Sequence, residues 1–441
     1  MNSQSFLCTA YLDESKGFCE AYILRENNKW DEFTIESTPI PDQKSSYLVQ
    51  SLPIDIHLHG LGGSDFSKEG FFDLSLVNQM AKNQGIICVP SIFLSRQHLD
   101  DFVEFINKFS LEKKNGEYTH IAGLSLEGPL LSSHGGTPTV GNWMATKSEW
   151  EKISNCGEKG LKYIVLSPDI FTEGSFLSNK INNQTPSLEW IVSLLFEAEI
   201  GISMGHFHKS TPEESAQCIQ QIIDIASKHF AKEKIRDFIM VDHFFNDMPS
   251  NITYAWRTPE RQVYRTGELE ALNMDSWNLE NLSEKVGPVP AKLLNAAKDG
   301  LVTICINFDG EHVDLEVCKK IIELIGSENI TAMTDHLDNN RMGNLILNKR
   351  KESSLWFKDD GIVAAGSSTM EIQMTNLRRI GIPEKDIWKI CSFSPARLLR
   401  FSDNEKENLN HFSFVDINRI RHSGYLDNLF LKNDMEKKHY V

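Results

Sequence analysis

The chain has no Cys-x-x-Cys pair, no basic surplus and no apolar run approaching the ~20 residues a membrane helix needs. Its cysteines, Cys8, Cys19, Cys88, Cys156, Cys218, Cys305, Cys318 and Cys391, are scattered, and several sit inside apolar runs. That pattern excludes a cysteine-built metal ribbon or redox motif. It reads as buried thiols in a reducing cytosol, so a cytoplasmic location is expected. Lys and Arg number 45 against 61 Asp and Glu, a formal charge of -16, which leaves no basic surplus to neutralise phosphates. No nucleic-acid partner is expected, and no membrane partner either. The N-terminus lacks the basic-then-apolar order of a secretory signal. Internal repeats, low-complexity tracts and long charge blocks are missing too.

What is present is a globular composition, with 40% hydrophobic residues spread over 441 positions. That length suits a large barrel with an accessory piece better than one small domain. Residues 1–50 carry short apolar and aromatic runs, such as Phe6–Leu12 and Cys19–Leu24, separated by polar turns, and read as a few antiparallel strands. From Leu52 the pattern changes. Eight extended apolar runs follow: Leu52–His59, Ile86–Phe93, Ile121–Glu127, Lys162–Pro168, Ile200–His206, Phe238–His243, Val302–Phe308 and Ile330–Asp335. Segments with helical spacing lie between them, such as Leu74-Val77-Met80-Ala81, Leu188-Ile191-Val192-Leu195-Phe196 and Ala216-Ile219-Ile222-Ile223-Ala226. Strands alternating with helices imply parallel β-α units, and about eight of them imply a closed (β/α)8 TIM-type barrel. Residues 340 to 360 read as polar loop, and helices are expected over Met370–Leu377 and from Pro383 to Leu399. Residues 401–441 are polar, with a strand-like Phe412–Val415 that is a candidate to rejoin residues 1–50 in a small β-rich accessory domain. The expected organisation is therefore 1–50 accessory, 51–400 barrel and 401–441 rejoining the accessory piece.

Within the first run, His57 and His59 stand two apart, so in an extended strand both face one side, where two imidazoles can share a metal ion. Further candidates end the other runs: Glu127 the third, His206 the fifth, His243 the sixth and Asp335 the eighth, with Asp309 and His312 after the seventh. Barrel active sites are assembled at the C-terminal ends of the strands. These side chains should therefore converge on one mouth, and their recurrence points to a metal site. Three histidines and a glutamate suit zinc, with iron, manganese and cobalt as alternatives.

At these residues the chain resembles the amidohydrolase superfamily, and within it the N-acetylglucosamine-6-phosphate deacetylase family, as a divergent member. The resemblance runs from about residue 52 to residue 400. It is carried by Ile54-Asp55-Ile56-His57-Leu58-His59-Gly60-Leu61-Gly62-Gly63, Leu124-Ser125-Leu126-Glu127-Gly128-Pro129, Met204-Gly205-His206, His243-Phe244-Phe245-Asn246-Asp247-Met248, Asp309-Gly310-Glu311-His312-Val313, Thr334-Asp335 and Ala365-Gly366-Ser367, and by the closing helix Ser394–Leu399. The resemblance implies Glu127, His206 and His243 as ligands of a main divalent metal, and His57 and His59 as ligands of a second. One or two ions per chain are expected, with Glu127 able to bridge a pair. It implies Asp335 as catalytic acid/base, His312 as a substrate-contacting histidine and Asn246 as an orienting residue. Relatives that share pocket residues across an interface make a homodimer the expected assembly. A divalent ion would lower the pKa of its bound water toward ~7, and Asp335 would relay the proton to the leaving amine.

Some positions depart from that family. Asp247 stands where the family carries Ala, and a carboxylate there disfavours a phosphate unless it points outward; the bland alternative is a solvated loop residue. His134 comes earlier than the family's histidine after Glu127, and is the candidate substitute. The segment 254–285 looks lengthened and places Arg257, Arg261 and Arg265 among aromatic residues, either as an exposed cap or as a lid presenting guanidinium to an anion. His208 and His336 are further pocket candidates. The expected activity is metal-dependent hydrolysis of an N-acyl amide in a small molecule, most simply deacetylation of N-acetylglucosamine-6-phosphate or a related amino sugar. The alternative keeps the metal chemistry and changes the amide to an N-acyl amino acid, a cyclic amide or a peptide-like natural product. A barrel that binds without catalysis is the third reading, and the full ligand set together with Asp335 argues against it.

Overall fold

The computed structural model describes residues 52–401 in full and, outside them, the backbone of five strands, Gln4–Tyr11, Phe18–Arg25, Phe33–Thr38, Tyr47–Ser51 and Phe412–Asp416. Those five form one sheet, in the order 412–416, 47–51, 4–11, 18–25, 33–38. Its pairings are antiparallel except that of Gln4–Tyr11 with Tyr47–Ser51, which is parallel. The strand expected at 412–415 does join the N-terminal strands, as the antiparallel neighbour of Tyr47–Ser51.

The largest sheet has eight strands in chain order: Ile54–Leu58, Ile87–Ile92, Leu124–Glu127, Leu161–Leu166, Gly201–Met204, Ile239–Val241, Thr303–Ile306 and Ile330–Ala332. Every pairing in it is parallel. Closure comes just past the eighth strand, where the Asp335 amide donates to the His57 carbonyl at 3.0 Å and the His59 amide to the His336 carbonyl at 2.7 Å. All eight expected strands are present, yet each is shorter than the apolar run that announced it. His206, His243 and Asp335 lie beyond the last residue of their strands, not within it.

The crossover helices bury the faces that their spacing announced. Leu74–Gln84 turns Leu74, Val77 and Ala81 inward and is capped by Asp73, whose carboxylate accepts from the Ser75 and Leu76 amides. Pro212–His229 buries Ile219, Ile222 and Ile223. Leucines, isoleucines and phenylalanines between barrel and helices form the main core. Inside the barrel the layer below the mouth is partly polar: the Ser91 and Ser125 hydroxyls are 2.8 Å apart, and the Tyr163 hydroxyl donates to the Ile56 carbonyl.

Two expectations need correcting. Residues 340–360 are not loop: Arg341–Met342 pairs with Leu345–Ile346, and Asn348–Lys349, Leu355–Phe357 and Val363–Gly366 make a three-stranded antiparallel sheet. Strands of two to four residues are too short to show an alternation in sequence, and this sheet is secured by Phe93, Leu337, Met342, Leu347 and Ala365 packing beneath it. The helix expected from Pro383 is Glu384–Trp388, continued through a π-helical turn, Lys389–Phe393, into Ser394–Leu398.

Candidate metal centre

Strand alternation explains which side chains reach the mouth. Along the third strand Ser125 and Glu127 share the inner side, as His57 and His59 do at the end of the first. His206 and Asp335 follow their strands in the left-handed region, at φ of 53° and 52°. Non-glycine residues adopt that conformation only where the surrounding structure holds them in it.

The result is two adjoining clusters in which ligand atoms lie within 4.8 Å of one another: Glu127, His206, Asp242 and His243, and His57, His59 and Asp335. Glu127 stands between them. Its Oε1 is 2.7 Å from His206 Nε2, and its Oε2 is 3.0 Å and 3.1 Å from the Nε2 atoms of His57 and His59. Those two Nε2 atoms are themselves 3.2 Å apart, and His59 Nε2 is 3.1 Å from Asp335 Oδ1. Every one of these residues is buried. Glu127 Oε2, Asp242 Oδ2 and His243 Nδ1 have no hydrogen-bond partner. Buried carboxylate oxygens without donors are costly, whereas lone pairs converging on one point are what a cation requires. The donor set, imidazole nitrogen with carboxylate oxygen, suits a divalent ion of the zinc class.

Groups behind the ligands orient them. Asp247 Oδ2 is 2.9 Å from His206 Nδ1, and its other oxygen accepts from Ser133. His59 Nδ1 lies 3.3 Å from the Ser91 carbonyl, and the His59 ring stacks on Phe93 with centroids 4.6 Å apart. His57 Nδ1 is 3.3 Å from the Tyr163 hydroxyl. Fixing the far nitrogen of an imidazole sets its tautomer and aims the near one at the ion.

The electrostatics follow from this crowding. Burial lowers the pKa of the imidazoles, but the carboxylates overcome it: His59 rises to about 10 through Asp335 and Glu127, and His57 and His206 are also raised. Burial pushes Asp335 up, but hydrogen bonds from His312 and His59 outweigh it and hold the carboxyl well below its usual range. Asp335 is thus ionised at neutral pH.

The five expected metal ligands and Asp335 are brought together, and His312 adjoins them, with Nε2 3.5 Å from Asp335 Oδ2. Asn246 accepts from Arg257 at 2.6 Å through Oδ1, while its buried Nδ2 has no partner. Arg257 is a strut: it also donates to the Glu311 and His312 carbonyls, at 3.0 Å and 2.8 Å. Arg261 and Arg265 do not present themselves to a ligand, because Glu268 and Asp314 pair with them. His134, half-buried, stacks on Phe176 with centroids 4.8 Å apart and belongs to neither ligand cluster. His208 turns to Thr172, at 2.6 Å, and His336 Nδ1 to the Ser368 carbonyl, at 3.2 Å; neither belongs to a ligand cluster. Asp247 is no solvated loop residue but the inward partner of His206. Sequence reasoning missed Asp242. The signal was available, since Asp242 shares strand parity with the inward-facing Met240.

Fold and site together define a (β/α)8 barrel with a candidate metal centre at the C-terminal end of its strands. The fold is that of solved N-acetylglucosamine-6-phosphate deacetylases. One from Thermotoga maritima superposes with a TM-score of 0.62 at 16% identity, covering 89% of this chain and 88% of that one. A variant from Mycobacterium smegmatis, in complex with N-acetyl-D-glucosamine-6-phosphate, gives 0.61 at 17% identity over 90% and 91%. One from Pasteurella multocida gives 0.61 at 16% over 90% of each chain. No family model matches the chain, and no curated protein matches it in sequence. No helix among the described residues is long and apolar enough to cross a membrane.

Proposed function

We propose that the protein is a metal-dependent hydrolase of N-acyl amides, most simply a deacetylase of N-acetylglucosamine-6-phosphate or a related N-acetyl amino sugar. The observation that carries this is the pair of buried ligand clusters sharing Glu127, with Asp335 and His312 beside them. A divalent ion held by Glu127, His206 and His243, with a second at His57 and His59, would acidify a water and polarise the amide carbonyl. Asp335, ionised and facing His59 and His312, accepts the proton of the attacking water and returns it to the leaving amine, a role worth about 10²–10⁴ in rate. His312 Nε2, 3.5 Å from Asp335 Oδ2, is placed to donate to the substrate. The free Nδ2 of Asn246 is a second donor for orienting it. Zinc as the native ion, a cytoplasmic setting and a homodimer belong to the same proposal.

One observation favours a substrate without a phosphate, whether an unphosphorylated amino sugar or the different amide of the second reading. Asp247 faces inward and Arg261 and Arg265 are paired with carboxylates, so the site has a negative charge and no uncommitted guanidinium from this segment. The deciding experiment is acetate release by metal-replete protein from N-acetylglucosamine-6-phosphate and from N-acetylglucosamine. Turnover of either sugar supports the first reading, and turnover of only the neutral one shows that no phosphate is recognised. Undetectable turnover of both moves the activity to other N-acyl amides.

A further inference from the structure

We propose that Asp242 is an additional metal ligand, and that it couples the two ion positions. This rests on the metal reading of the same site and adds a residue to it. Asp242 is buried to 1% exposure, one residue before His243 and just past the end of the sixth strand. Its Oδ2 lies 3.1 Å from His243 Nε2 and 3.8 Å from His206 Nε2, and has no hydrogen-bond partner. Ligands at about 2.0–2.2 Å in a tetrahedron around zinc stand roughly 3.3–3.6 Å apart, and the two separations of 3.1 Å and 3.8 Å bracket that spacing. Its other oxygen, Oδ1, lies 3.4 Å from His57 Nδ1. All three ion-pair neighbours of Asp242 are histidines, and among the described residues no lysine or arginine pairs with it.

A carboxylate so deeply buried needs a compensating charge, and the imidazoles around it have to be neutral to bind metal. The cation is then the group left to compensate it. Oδ2 completes a four-residue set with Glu127, His206 and His243. Oδ1 meanwhile lies 3.4 Å from His57 Nδ1, beside the Tyr163 hydroxyl at 3.3 Å, and its charge favours the tautomer protonated on Nδ1, which leaves His57 Nε2 to face the second position. One side chain thereby serves the first ion directly and the second through His57. With two dications, Asp242 brings the charge of the ligated centre from +2, set by Glu127 and Asp335, to +1.

The test is metal binding, not turnover. Protein stripped by chelator is titrated with zinc in the presence of a competing chelator, comparing the wild type, Asp242→Asn and His57→Ala. The expected result is a loss of at least about tenfold in affinity for both ions in Asp242→Asn, and for only the second in His57→Ala. The cobalt-loaded Asp242→Asn protein should also show an altered visible absorption band. Wild-type affinities and an unchanged cobalt spectrum in Asp242→Asn overturn the proposal. Should that variant not fold, a crystal structure of the zinc-loaded wild type decides: Oδ2 belongs at about 2.0–2.2 Å from the ion, and a separation beyond about 3 Å refutes it. A wild type that binds no zinc sinks the metal reading itself. A chain that binds both ions yet hydrolyses nothing leaves Asp242 as a ligand and removes only the activity.

Discussion

Asp309 Oδ2 lies 2.6 Å from Nδ1 of His312. The carboxylate is held from the other side as well, since its Oδ1 accepts from the backbone amides of Glu311 and His312, both at 2.8 Å. Burial lowers the His312 pKa, but Asp309 overcomes this and raises it to about 9, so the ring carries a proton on Nε2 at neutral pH. Glu311 extends the brace, accepting from Ser353 and Ser354 at the edge of the small sheet. The loop after the seventh strand is thus tied down through Asp309 and Glu311, and His312 Nε2 faces Asp335 Oδ2 at 3.5 Å.

From this follows a hierarchy of effects. His312→Asn should lower kcat by on the order of 10²–10³, the usual consequence of removing a donor aimed at developing charge. Asp309 acts through His312, so Asp309→Asn should cost less. The double variant should be no slower than His312→Asn alone, because residues working as a unit are not additive. Steady-state kinetics of the three variants measure this. Additive losses would mean that Asp309 acts by another route.

Asp335→Asn is expected to reduce turnover by several orders of magnitude. Asp335 also belongs to the cluster of His57 and His59, so the ion held there should weaken as well. Elemental analysis beside kinetics separates the two roles. A variant that keeps both ions and loses turnover assigns Asp335 to proton transfer alone, while one that keeps its activity places the proton carrier elsewhere.

Much of this was legible in the chain. The eight strands follow from apolar runs that the barrel buries on both faces, and the histidines and acids stand out because they interrupt those runs at one end. What escaped was set by conformation, not by composition. Asp242 was overlooked because alternation allows only one of two neighbours to face inward, and His243 was the more familiar ligand; the strand ends at Val241, and the turn beyond it brings both side chains in. Asp247 reads as a surface residue until the left-handed conformations at Phe245 and Asp247, with φ of 72° and 44°, fold it back under His206. The arginines of 254–285 looked available because their partners, Glu268 and Asp314, are chosen by tertiary contact.

Asp247 offers a separate test. Burial raises its pKa, but the hydrogen bond to His206 outweighs this and lowers the value to about 2, so it is a fixed negative charge. Asp247→Asn keeps the shape and removes that charge. Metal affinity should fall by about 10–100-fold, as for other carboxylates that orient a ligating histidine. The ratio of kcat/KM for N-acetylglucosamine-6-phosphate over N-acetylglucosamine, measured with metal saturating, should rise. An unchanged ratio would show that Asp247 does not bear on the phosphate.

Metal binding should release protons and strengthen as pH rises. In the ion-free protein the pKa values of His57, His59 and His206 are raised above that of a free imidazole, and His59 reaches about 10, because the surrounding carboxylates outweigh burial. His59 and His206 are therefore protonated near neutrality, yet a metal binds only the neutral ring. The sign is fixed: the free form holds more protons than the loaded form, so raising the pH favours loading. The metal-free chain behaves in the opposite sense. Its imidazolium–carboxylate pairs contribute stability that is fully present below about pH 6.5, the unfolded value, and that fades as pH rises toward the folded value of about 10 for His59. Calorimetry of zinc binding in buffers of differing ionisation enthalpy counts the protons released. Thermal unfolding of chelated protein between about pH 6 and pH 10 should show stability falling, while the zinc-loaded protein holds steady or gains over the same range. Binding without proton release would mean that the rings are already neutral, and that the carboxylates around them are balanced in some other way.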